Sequence, residues 1–171
     1  MIEEIRLHLW NADVDAASYG DTGERYQSAI LEQYKLYVEM ADRISARRGL
    51  ANTFFLTLNT TIFTVIGVFW KDRPNASVWI LLFPLVVLLG QCFAWFSLVR
   101  SYRQLNAAKY AVVGAIEERL PASPYWRAEW LALGAGKDRL RYVPVTHLEQ
   151  WVPALFGACY LGGFLAVVIA R

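Results

Sequence analysis

Three stretches of this chain contain no Lys, Arg, Asp or Glu, and they restrict the fold more than any other feature. They are NTFFLTLNTTIFTVIGVFW from Asn52 to Trp70, SVWILLFPLVVLLGQCFAWFSLV from Ser77 to Val99, and VPALFGACYLGGFLAVVIA from Val152 to Ala170. Each approaches the about 20 residues a helix needs to cross a hydrocarbon core about 30 Å thick. Lipid offers the backbone no hydrogen-bond partner, so such a run must satisfy its own peptide groups as a helix. The composition agrees: 19% of the residues are charged, against about a quarter in soluble domains. The fold class predicted is an all-α integral membrane protein, with three transmembrane helices whose cytoplasmic helical extensions form an oligomeric bundle.

The predicted organisation runs from an N-terminal cytoplasmic segment with an amphipathic helix (1–49) to a transmembrane hairpin (50–99), with spans at about 52–70 and 77–99. A cytoplasmic helical segment (100–150) and a third transmembrane helix (151–171) follow. Only KDRPNA separates the first two spans, and Pro74 and Asn75 suit the tight turn this demands. The opening MIEEIRLHLWNADVDAAS lacks the basic start and continuous apolar core of a signal peptide. Arg43, Arg47 and Arg48 precede the first span, Arg100, Arg103 and Lys109 follow the second, and Lys137, Arg139 and Arg141 precede the third. The hairpin turn holds only Lys71 and Arg73, and the C-terminus Arg171. Positive charge is retained on the cytoplasmic side, so the N-terminus is expected inside and the C-terminus outside, in a multi-pass membrane protein. Trp70 and Trp79 would mark the outer interface, Trp151 and Trp95 the inner one.

The polar segments carry helical periodicity. Tyr26, Ile30, Tyr34, Tyr37, Ala41 and Ile44 recur at steps of three and four, as do Leu98, Tyr102, Leu105, Val112, Ile116 and Leu120, with Arg103, Glu117, Glu118 and Arg119 off that stripe. The spans therefore continue as helices that pack along these stripes. Asp21 with Glu24, and Thr146 with Glu149, have capping-box spacing. Pro121 ends the second long helix, PASPYWRAEW reads as a turn and short helix, and Pro153 falls in the first turns of the third span.

Little here points to catalysis. A net charge of +2 is too mild for a nucleic-acid face. Cys92 and Cys159 lie in apolar blocks with no metal-ligand spacing. GAGK at Gly134–Lys137 lacks both the leading glycine and the following hydroxyl of a phosphate loop. His8 and His147 have no nucleophile or carboxylate at a recognisable spacing, and Glu117 and Glu118 read as the end of a solvated helix. No carboxylate lies within a span to relay protons. The chain is expected to be no enzyme, with no catalytic residue, cofactor or metal site and no nucleic-acid partner; its partners are the lipid bilayer and its own copies.

Two polar or small-residue patterns remain. Ala154, Ala158, Gly162, Ala166 and Ala170, spaced by four, form a flat helix-packing ridge on the third span. Thr53, Thr57, Thr60 and Thr64 share one face of the first span, with Asn52 and Asn59 beside it. These residues line a wet path or make interhelical polar contacts. Threonine can bond back to its own helix. Asn59 is expected to need another helix or water, with Gln91 as a candidate partner.

YKLYVEMADRISARRGLANTFFLTLNTTIF (Tyr34–Phe63), RQLNAAKYAVVGAIEERLPASPY (Arg103–Tyr125) and GKDRLRYVPVTHLEQWVP (Gly136–Pro153) resemble the RipA family of small octameric bacterial inner-membrane proteins. A more distant likeness, on the helix entering the hairpin, is to SLATT-type two-span modules thought to form pores; a third span and no attached sensor set this chain apart. The resemblance implies a homo-oligomer, an octamer, and no established reaction. Two functions follow: a scaffold in envelope or stress homeostasis, or an oligomeric pore lined by the first span.

Overall fold

The computed structural model describes residues 2–20, 22–71, 77–137, 142 and 145–170. The described residues are mainly helical and include no strand, with three helices long and apolar enough to cross a membrane. The elements are α1 (Ile2–Leu9), α2 (Glu24–Lys71), α3 (Leu82–Glu117), a π-helical turn (Pro124–Glu129) leading into α4 (Trp130–Ala132), and α5 (Val145–Ile169). A 3-10 turn, Val78–Leu81, precedes α3. Several sequence expectations lie outside the described residues: the hairpin turn at 72–76 with Pro74 and Asn75, the cap at Asp21, the Thr146 and His147 side chains, Arg73, Arg139, Arg141 and Arg171.

The chain divides into two compact units, residues 1–46 with 103–143 and residues 47–102 with 144–171. In the first unit, the α2 stripe turns inward as its periodicity predicts: Ile30 and Ala41 are buried, and Tyr26, Tyr34, Tyr37 and Ile44 half-buried. The α3 side differs. Leu105 stays exposed, while Asn106 turns in and donates its amide to Ser45 Oγ at 3.1 Å. From Ala111 to Glu117 almost the whole circumference of α3 is covered. Apolar counting misses this because a hydrogen bond, not a side-chain methyl, fixes the helix rotation at Asn106. Trp126 lies flat against Gly114, where a Cβ would meet its ring at 2.6 Å.

In the second unit, α3 buries Leu85, Leu88, Cys92, Trp95 and Val99, and α5 buries Pro153 and Tyr160. Leu98, predicted to lie on the inward stripe, is exposed, and the adjacent Val99 is buried in its place. Trp95 is turned into the unit rather than outward, stacking on Phe55 at 5.7 Å with an interplanar angle of 9°. Its indole N–H donates to Asn52 Oδ1 at 2.8 Å. Pro153 sits well inside α5 rather than in its first turns, removing the N–H that would bond to the carbonyl of residue 149. The Glu149 carboxylate faces Arg48 of α2, with Nε and Oε2 3.2 Å apart and both side chains largely buried.

Candidate functional site

Within the second unit, one side chain gathers all three apolar helices. Asn59 of α2 is completely buried. Its Oδ1 accepts from the Tyr160 hydroxyl of α5 at 2.9 Å, and the Cys92 thiol of α3 approaches the same oxygen at 3.8 Å. Its amide nitrogen donates to Phe55 O, one turn back, at 2.8 Å. The expectation that its own helix could do nothing for Asn59 is therefore corrected. An asparagine amide reaches the carbonyl four residues earlier much as threonine does, leaving only its oxygen for another helix. Gln91 is not the partner: on a helix it lies about 100° round from Cys92, and its amide nitrogen is buried without a hydrogen bond.

The four threonines behave differently from Asn59. Thr53, Thr57, Thr60 and Thr64 are all exposed on the chain's surface. Thr53 donates to Gly49 O, Thr60 to Leu56 O and Thr64 to Thr60 O, at 3.1, 2.9 and 2.9 Å. Thus the stripe splits into a buried amide that ties the spans together and outward threonines, three of which bond their own backbone. The ridge on α5 is also exposed throughout: Ala154, Ala158, Gly162, Ala166 and Ala170 face away from the chain, and a Cβ on Gly162 would meet nothing. The face of α5 used inside the unit carries Pro153, Phe156, Gly157 and Tyr160 instead.

The first unit has its own polar centre at Glu117, which is 1% exposed. Its Oε1 accepts from the Tyr34 hydroxyl at 3.0 Å and from Tyr125 N at 3.1 Å. Its Oε2 accepts from the Ser123 hydroxyl at 2.7 Å and from Trp126 N at 3.0 Å. The reading of Glu117 as solvated is thus overturned. The two backbone donors lie in the first turn of the π-helical segment, where a helix has no internal acceptors, and the carboxylate from the preceding helix supplies them. Burial first, and then the hydrogen bond and charge of Glu117, push the Tyr34 phenol well above its usual range, so it remains a donor. Glu118, one residue on, does face outward and holds Arg6 of α1, with Nε to Oε2 at 2.9 Å. Arg119 lies over the Trp10 ring at 3.6 Å and donates to the Tyr26 hydroxyl at 3.0 Å.

Sequence reasoning missed Tyr160, Trp95 and Glu117 as organising residues. The first had a visible signal, since a phenol in an uncharged apolar block must find an acceptor. Glu117 had none, because its partners lie on an irregular turn.

Both polar centres are closed by hydrogen bonds within the chain. Glu117 has its acceptor sites occupied by four donors, and Asn59 is fully enclosed. Among the described residues, no group of three His, Cys, Asp or Glu side chains could hold a metal ion. Residues 31–169 match the model of a family described as the octameric membrane protein family, 8xMP. No curated protein and no solved structure matches the chain.

Proposed function

The chain belongs to the octameric membrane protein family, and on that premise we propose that it is a homo-oligomeric scaffold of the bacterial inner membrane, an octamer serving envelope or stress homeostasis without a catalytic reaction. One observation carries this reading over the alternative. The strongest polar group of the first span, the Asn59 amide, is consumed inside a single chain by Phe55 O and Tyr160. A helix that lines a wet path would keep such an amide for water. The exposed ridge of α5 supplies a surface where a second copy's helix can approach closely. Glu117 and Asn59, the best-placed candidates for chemistry, are held by structural bonds, which supports a non-catalytic role.

The second reading, a pore lined by α2, rests on a different observation: Thr53, Thr57, Thr60 and Thr64 all face out of the chain. The orientation proposed, N-terminus inside and C-terminus outside, rests on the surplus of Arg and Lys before the first span and after the second.

Native mass spectrometry gives the subunit number, and planar-bilayer recording of the same assembly separates the two readings. A scaffold conducts under no ionic or voltage condition. A conductance that falls when Thr57 and Thr60 are changed to Val would replace the scaffold with the pore. A reporter active only in the cytoplasm, fused after Arg171, should stay silent.

A further inference from the structure

The first unit carries a half-open cavity of about 630 Å³ whose described walls are mostly aromatic. Tyr110 comes from α3, Tyr125 and Trp126 from the π-helical turn, Trp130 from α4, and Tyr142 from beyond it. Glu129 is the charged member of the described lining. We propose that this aromatic cage, with Glu129 on its wall, binds an organic cation bearing a quaternary or methylated ammonium group.

The Trp126 and Trp130 indoles are packed against the chain before any ligand arrives. The backbone amides of Tyr125 and Trp126 are both fastened to the buried Glu117 carboxylate. Trp126 is pressed on Gly114, and Trp130 on Gly136, where a Cβ would come within 3.0 Å of the indole. Gly136 also has a φ of +73°, which other residues adopt with strain. Tyr110 and Tyr125 sit 6.5 Å apart, tilted by 50°. Such fixed walls reduce what ordering would otherwise cost on binding. Yet the rings are not packed away: Tyr110, Tyr125, Trp130 and Tyr142 all remain exposed for aromatic residues, Trp130 by 49%.

Charge selects the ligand. The faces of aromatic rings carry negative potential and attract cations, above all weakly hydrated ones. Glu129 adds a full negative charge, and Asp42 also acts on this region: burial first, then the charges of Asp42 and Glu129, hold the Tyr110 phenol above its usual range. A phosphate or carboxylate ligand would be repelled. Glu129 is itself exposed, so it adds attraction for a cation that an apolar ligand would not gain. Lys109, beside Tyr110 in the chain, lies over another ring, Tyr37, at 4.5 Å.

Equilibrium dialysis of the intact assembly, in a detergent without a choline headgroup, tests this with labelled choline as the probe. Binding should saturate, tetramethylammonium should compete, and the carbon isostere of choline, with tert-butyl in place of trimethylammonium, should compete about tenfold less well. Trp130→Leu keeps apolar volume but removes the ring, and Glu129→Gln removes the charge. Each should weaken choline binding by about 3- to 30-fold while the assembly elutes as wild type. A short-chain phosphatidylcholine that displaces choline better than choline itself would identify a lipid headgroup as the source of the cation. Displacement by free choline alone would identify a soluble metabolite. The proposal is overturned if binding never saturates, if the neutral isostere competes equally, or if neither substitution changes affinity.

Discussion

Replacing Glu117 by Gln removes one oxygen from a site that four donors share, and the geometry predicts which donor suffers. Each carboxylate oxygen takes one hydroxyl and one backbone amide: Tyr34 and Tyr125 on Oε1, Ser123 and Trp126 on Oε2. An NH2 group in either position can be tolerated by the hydroxyl, which rotates to accept. It cannot be tolerated by the amide, because N–H then faces N–H. One orientation of the glutamine thus orphans Tyr125 N, and the other orphans Trp126 N. A buried unsatisfied donor costs about 1–3 kcal/mol, so one of the two amides should lose protection from hydrogen exchange by about 5- to 150-fold. Glu117→Ala orphans both amides and both hydroxyls, and should cost about 2–5 kcal/mol in total, less than a simple sum because water enters the space. Residue-resolved hydrogen exchange on the detergent-solubilised protein reads this directly. Wild-type protection of both amides in Glu117→Gln, or an alanine variant milder than the glutamine one, would show that the carboxylate does not hold this turn.

In the second unit, Asn59→Leu and Tyr160→Phe should each lower the thermal midpoint by the equivalent of about 0.6–2 kcal/mol. The double variant should cost clearly less than the sum, since both remove the bond between Asn59 Oδ1 and the Tyr160 hydroxyl; strict additivity would sink this. Gly114→Ala should destabilise the chain, because a Cβ would press 2.6 Å from the Trp126 ring. Overpacking of about 1–3 kcal/mol outweighs the roughly 0.5–1 kcal/mol that alanine gains in a helix. A Cβ at Gly162 meets nothing in its own chain, so Gly162→Leu should act chiefly on the oligomer, as read by size-exclusion and native mass spectrometry. The hydrogen bond to Arg6, above all, holds the Glu118 carboxyl below the usual glutamate value of 4.5. That lowered value means the contribution of this ion pair to holding α1 is fully present above pH about 4.5 and is lost as pH falls through the depressed value. Proteolysis between α1 and α2 should therefore accelerate on acidification in wild type and be equally fast at neutral pH in Glu118→Gln.

The parts of this fold governed by long uniform signals could be read directly. Uncharged runs give the three long apolar helices, and the spacing of Ile30, Tyr34, Tyr37 and Ala41 gives the inward face of α2. Errors arose where single polar groups overrule the apolar pattern. Asn106 rotates α3 so that Leu105 is left outside. Glu117 looks like a surface charge until the chain returns at Ser123–Trp126 to meet it. Glu149 looks like half of a helix cap but lies opposite Arg48, on another helix. Each depends on a contact between distant residues, which periodicity along one helix does not encode. Asn59 was recognisable as a residue needing partners, yet the choice of Tyr160 over Gln91 depended on helix rotation.

The back-bonded threonines of α2 bear on how such an assembly is made. With the hydroxyls of Thr53, Thr60 and Thr64 hooked onto backbone carbonyls, their methyl groups are what remains for the surroundings. The face that looks polar in one-letter code is greasy to its neighbours. A newly made chain can therefore enter the bilayer alone, its first span exposing no unmet donor at these three positions to acyl chains. Insertion need not wait for other subunits, and a pool of complete monomers can diffuse in the plane of the membrane before they meet. In the oligomer proposed above, assembly then becomes a concentration-dependent event in two dimensions, set by expression level, rather than a step coupled to synthesis.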